Sequence, residues 1–69
     1  MSQTSLAMGE VEYVNASSGS GFIATDDTTQ DVLFVQNGVI GAVPDVGEKV
    51  EFEIVQTQQG PRAMNVRRV

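Results

Sequence analysis

The sequence predicts an all-β protein, a single five-stranded antiparallel β-barrel, and three observations carry that prediction. Apolar residues recur in short alternating or β-branched runs, each closed by Gly, Pro, Asn, Asp or Ser, and no window supports a helix of about ten residues. The chain has 69 residues, enough for one core and too few for a second. Short strands in so small a chain cannot stand as a flat sheet with two wet faces. Closure removes the exposed edges.

Residues 1–7 are mostly polar, without periodicity, and read as a disordered N-terminal tail, which leaves 8–69 as the folded domain. Glu10-Val11-Glu12-Tyr13 alternates polar and apolar, the period of a half-buried strand, and Asn15 to Gly19 supplies a turn. Phe22 to Thr25 is the second strand, ended by Asp26-Asp27-Thr28-Thr29. Asp31 to Val35 is the third, its β-branched and aromatic content favouring strand over helix. Gly38, Gly41, Pro44 and Gly47 make the stretch from Asn37 to Gly47 a long irregular connection. In Lys49 to Val55 the apolar Val50, Phe52 and Ile54 alternate with Lys49, Glu51 and Glu53, the clearest strand of all. Gln58 to Pro61 turns the chain, and Ala63 to Val69 makes the fifth strand.

The inward set is then Val11, Ile23, Val32, Phe34, Val50, Phe52, Ile54 and Val66. The same alternation turns Phe22, Leu33 and Val35 outward. A barrel with one core does not need apolar side chains on both faces of adjacent strands, so that outer face asks for a role.

Composition narrows the role. There is no cysteine and no histidine, which removes disulfides, thiolate zinc sites, cysteine nucleophiles and the commonest general base. No nucleophile has a recognisable base partner, and the chain reads as a non-enzyme. Asp26, Asp27 and Asp31 lie near a turn, but their spacing fits no EF-hand loop and lacks its closing glutamate, so no metal is expected and turn chemistry accounts for them. Gly19-Ser20-Gly21 is followed by no helix and no Walker lysine, which favours hairpin flexibility over phosphate binding. No cofactor is implied. No apolar run approaches the roughly 18 residues that span a bilayer, and the N-terminus has no signal-peptide pattern. A cytoplasmic protein is expected.

Nine acidic residues against four basic ones give a formal net charge of −5. Such a surface repels nucleic-acid phosphates and acidic membranes at low salt. It suits a basic protein partner, or a very salty cytoplasm in which repulsion is screened. One lysine, Lys49, stands beside Arg62, Arg67 and Arg68, a balance that fits a halophilic surface.

At this point the residues resemble a known family. Gly9-x-Val11 with Asn15, then Gly19-Ser20-Gly21-Phe22-Ile23, Asp26-Asp27 and Asp31-Val32 are similar to the first half of a cold shock domain. Gly47-x-x-Val50-x-Phe52-x-Ile54 and Gly60-Pro61-Arg62-Ala63-x-Asn65-Val66 resemble its second half. The likeness runs from about Gly9 to the C-terminus, and the acidic surface and closing GPRAMNVRRV look similar to haloarchaeal members. The resemblance implies a five-stranded OB-fold barrel that binds single-stranded RNA or DNA on the outer face of its first three strands, with aromatics stacking on bases and basic groups meeting phosphates.

Carried across by position, the resemblance leaves Tyr13 and Phe22 as stacking aromatics. Where the family has further aromatic or basic residues, this chain has Ser18, Ser20, Leu33, Val35 and Glu12. Three missing rings at ~1 kcal/mol each weaken binding by roughly two powers of ten. The expected site is therefore Tyr13 and Phe22 with Leu33 and Val35 completing an apolar platform. Asp31 either hydrogen-bonds a base edge or caps its turn. Arg62, Arg67 and Arg68 offer phosphate contacts, against a reading in which Arg67 and Arg68 are only a solvated basic end. Leu33 and Val35 could instead be covered by the Asn37–Gly47 connection, Phe22 could lie in the core, and Tyr13 could pack at the barrel rim.

Three functions follow. The leading one is weak, salt-dependent binding of single-stranded nucleic acid with little sequence preference, in the manner of an RNA chaperone acting in stress, by a monomer. The alternative is a protein–protein interaction module, or a homodimer, built on the aliphatic face. The third is a domain shaped for high salt, which is compatible with either.

Overall fold

A computed structural model of the chain describes residues 5–69. It contains five strands, β1 (Ser5–Asn15), β2 (Ser20–Ala24), β3 (Val32–Phe34), β4 (Lys49–Thr57) and β5 (Gly60–Arg68), with one 3₁₀ turn at Gln36–Gly38. They close into a barrel in the order β1-β2-β3-β5-β4. All five strands lie where the sequence places strands, though β1 starts earlier, at Ser5, and β5 takes in Gly60 and Pro61 of the expected turn.

Two expectations need correction. The barrel is not wholly antiparallel, because Leu33 of β3 and Arg62 of β5 pair in parallel. Directions cannot alternate all the way round a closed ring with an odd number of strands, so one neighbouring pair must run the same way. The second concerns the tail. β1 begins at Ser5, and Ser5, Leu6 and Ala7 pair with Ile54, Glu53 and Phe52. Here the outward residues, Leu6 and Met8, are large and apolar while the inward one, Ala7, is small. The hydrophobic contrast is inverted, and the periodicity gives no signal. Residues 1–4 of the expected tail lie outside the described residues.

β1 serves two neighbours. Its first half, Ser5–Glu10, pairs with β4, and its second half, Glu10–Asn15, pairs with β2. Such sharing requires a sharp bend and close backbone approach, which glycine permits. A Cβ on Gly9 would run into the carbonyl oxygen of Ala24, and a Cβ on Gly21 into that of Tyr13. The Gly21 Cβ would also lie 2.9 Å from Cε2 and Cζ of Phe34, so this glycine makes room for the ring that fills the barrel centre.

The core holds all the residues that the alternation turns inward, Val11, Ile23, Val32, Phe34, Val50, Phe52, Ile54 and Val66, together with Ala7 and Ala63. Ala63 and Val66 are three positions apart, out of phase for a regular strand. An irregularity opposite Phe52 reconciles them: β5 contributes one residue too many between the pairs Glu51–Arg67 and Glu53–Met64, and Asn65 takes up the bulge at φ 54°. Its amide donates to Glu53 Oε1 at 3.2 Å.

The connection from β3 to β4 crosses one end of the barrel. Val39 bridges Val66, the Ile40 amide donates to the Val66 carbonyl at 2.8 Å, and Pro44 is fully buried. Among the described residues no helix is long and apolar enough to cross a membrane.

Gly21→Ala should destabilise the fold by about 1–3 kcal/mol through overpacking, lowering the melting temperature by at least about 4 °C for a domain of this size. A thermal melt followed by circular dichroism checks this. An unchanged midpoint would mean that Phe34 and β1 have more room than this packing allows.

Candidate nucleic-acid interface

On β2 the neighbours Gly21 and Ile23 are buried, so Phe22 points outward and keeps 40% of its surface exposed. On β1, strict alternation from the buried Val11 would send Tyr13 into the core. A bulge between Val11 and Tyr13 inserts Glu12 as an extra residue and returns Tyr13 to the outer face, 51% exposed and paired with Phe22. The two rings have centroids 6.2 Å apart and are tilted by 36°, within the usual range for an aromatic pair.

The row continues. Phe22 pairs with Leu33 on β3, and Leu33 pairs with Arg62 on β5. Directly opposed residues share a face of the sheet, so Tyr13, Phe22, Leu33 and Arg62 form one line across four adjacent strands. Two aromatic rings and an aliphatic side chain lead up to a guanidinium.

Leu33 is half-buried and lines an open groove with Phe22, Gln30, Asp31, Gln59 and Pro61. No residue of the Asn37–Gly47 connection lines that groove, so this loop does not cover Leu33 there. Asp31 is exposed at its edge. Val35 is half-buried but lies just past β3, outside the pairing that aligns the row, and its carbonyl accepts the Gly38 N–H at 2.8 Å.

A family model described as the "Cold-shock" DNA-binding domain matches residues 7–69. The chain belongs to the cold-shock domain family. It is 36% identical over 67 residues to the "Probable cold shock protein A" of Mycolicibacterium smegmatis, covering 93% of this chain and 100% of that one. It is 40% identical over 62 residues to a cold shock-like protein of Aquifex aeolicus, covering 86% and 89%. The same identity and length hold for the cold shock-like protein CspG of Escherichia coli, covering 84% and 87%. Among solved structures, that of Ag(I)CusF superposes with a TM-score of 0.72 over 99% of this chain and 100% of the other, at 19% identity. That last likeness concerns the barrel alone.

In this cold-shock domain the three arginines do not form one patch. Arg62 joins the row. Arg67 Nε donates to Glu51 Oε1 at 3.0 Å, an ion pair on β4 and β5. Arg68 is engaged more fully: Nε donates to both carboxylate oxygens of Glu48 at 3.0 Å, and its terminal nitrogens donate to the carbonyls of Ala42 and Val43 at 3.4 and 3.3 Å. It clasps the β3–β4 connection to the end of β5. Gln30, Gln59 and Pro61 line the groove and are absent from the set the sequence predicts. Their turns meet only because β5 lies beside β3, a pairing that no local pattern announces.

Glu48 also accepts the Asp45 N–H at 2.7 Å. That backbone hydrogen bond, then the Arg68 guanidinium, hold its carboxyl below the usual glutamate range. A depressed carboxyl stabilises the fold above its unfolded pKa, and the contribution is lost as pH falls through the folded value. Glu48→Gln should therefore melt below wild type at pH 7, and the gap should close as pH falls below about 4.3, the ordinary glutamate value. A gap that persists at pH 2.5 would assign the effect to packing and not to charge.

Proposed function

We propose that this protein binds single-stranded nucleic acid, RNA or DNA, with little sequence preference, and holds strands unpaired in the manner of an RNA chaperone. The observation that carries this reading is the in-register row of Tyr13, Phe22, Leu33 and Arg62. Bases present flat apolar faces that any aromatic or aliphatic platform accepts, and stacking of this kind tolerates many sequences. The family's description as a DNA-binding domain supports it. Tyr13 and Phe22 stack on successive bases, Leu33 covers a further base face, and Arg62 meets a phosphate. Asp31 at the groove edge accepts a hydrogen bond from a base. Val35 extends the apolar surface beyond the row. No bond is made or broken: the protein is a binding module, acting as a monomer.

The test is a titration with a short oligo-pyrimidine strand, followed by amide shifts and calorimetry. Phe22→Ala and Tyr13→Ala should each weaken binding roughly 5- to 150-fold, the equivalent of about 1–3 kcal/mol per stacked base, while circular dichroism stays unchanged. Unaltered affinity in both variants would remove this face from nucleic-acid binding. If light scattering then showed a dimer abolished by Leu33→Asp, the face would belong to self-association instead.

A further inference from the structure

The positions of the charges decide which part of a nucleic acid this platform recognises. Of the four cationic side chains in the chain, Arg67 and Arg68 are held by Glu51 and Glu48. Arg67 also lies five residues along β5 from Arg62, about 16 Å of strand, beyond the roughly 10 Å over which charge acts at 0.1 M salt. Lys49 pairs in register with Glu10 and shares its surface with Glu12 and Asp26. Among the described residues, Arg62 is therefore the cation at the platform. Against it stand Asp31, lining the groove with Phe22 and Leu33, and, on the far side of Tyr13, a surface where Glu10, Glu12 and Asp26 outnumber Lys49. The local balance is negative, and so is that of the whole protein, at −5.

Resting on the reading of this face as a single-strand site, we infer that it recognises bases and is averse to the phosphate backbone, so that its preferred ligand class is a single strand whose backbone charge is screened or absent. A protein that neutralises phosphates on a single strand loses affinity with salt, with a slope of about −0.7 per phosphate in log K against log salt. Here the one arginine is offset by Asp31 in the groove and by the acidic excess beside Tyr13, and salt relieves more repulsion than attraction. Affinity for an ordinary strand is flat or rises with salt, and ionic strength becomes the variable that regulates occupancy.

The experiment compares an oligothymidine hexamer with its uncharged methylphosphonate counterpart, each titrated into the full chain by calorimetry at 0.05 M and 1 M KCl, with circular dichroism at both. Because both ligands meet the same protein, the ratio of their affinities separates backbone charge from any effect of salt on folding. The uncharged strand should bind at least as tightly at 0.05 M, and the ratio should approach unity at 1 M. Arg62→Gln should weaken the phosphodiester strand at 0.05 M by a few fold and leave the uncharged one unchanged. A tenfold or greater preference for the phosphodiester at 0.05 M would overturn the inference while leaving the proposed function standing. Failure of both strands to bind a folded protein at either salt would overturn the proposed function and this inference with it.

Discussion

Between Val11 and Tyr13 the pairing of β1 with β2 slips by one residue, and the outer face of the barrel takes its character from that slip. Without it, the alternation that buries Val11 would also bury Tyr13, and the barrel would have to accommodate a tyrosine hydroxyl in its apolar centre at a cost of about 1–3 kcal/mol unless it found a partner. With it, Glu12 goes to solvent, Tyr13 lands opposite Phe22, and β1 gains the local twist that lets one strand serve both β2 and β4. Barrel closure and platform construction are one event. Asn65 plays the matching part on β5, where its φ of 54° keeps both Ala63 and Val66 in the core. On each strand the extra residue reconciles a continuous inner surface with a strand that must bend.

Electrostatics then divides the molecule. At the β5 end, Arg67 and Arg68 are tied to Glu51 and Glu48, and Arg68 also braces the carbonyls of Ala42 and Val43. These contacts close the barrel end over the long connection. A guanidinium committed to a carboxylate and two carbonyls has three of its five N–H donors engaged by protein, and turning it toward a phosphate would undo that closure. The cations that a count of charges would assign to ligand binding thus belong mostly to the architecture. Arg62 differs because its strand neighbours are Leu33 and Val55, neither of which can hold it.

Wherever one residue type alternated with another, the sequence was legible. Val50, Phe52 and Ile54 announce β4 and its inner face because every second residue is polar, and Gly47 and Gly60 bracket it. Phe22 and Leu33 could be turned outward by counting from Ile23 and Val32. Three kinds of information were hidden. Bulges break the count: Ala63 is out of phase with Val66, and the outward position of Tyr13 came from family resemblance because alternation from Val11 points it the other way. Inverted contrast hid the start of β1, where Leu6 and Met8 are larger than the buried Ala7 between them. Non-local pairing hid the groove, since Gln30 and Gln59 are far apart in sequence and meet only through the parallel contact of β3 with β5.

Exposure by itself does not mark the proposed binding face of this barrel. Leu6, Met8, Ile40, Val46 and Val69 are all more exposed than Phe22, and isolated apolar side chains on a surface are ordinary. What sets Phe22 apart is registration. A stacked single strand presents its bases as a series of flat faces, and only side chains aligned across neighbouring strands can meet successive members of that series. Tyr13, Phe22 and Leu33 are aligned in this way, ring beside ring and ring beside leucine, while Leu6 and Met8 face glutamates across β4. A small domain buries only about 60% of the surface its unfolded chain exposes, so each apolar group kept outside the core is stabilisation forgone. Scattered groups forgo it without forming a surface. The row concentrates its exposed apolar area where strand pairing holds it rigid, and that rigidity is what the proposed single-strand site requires.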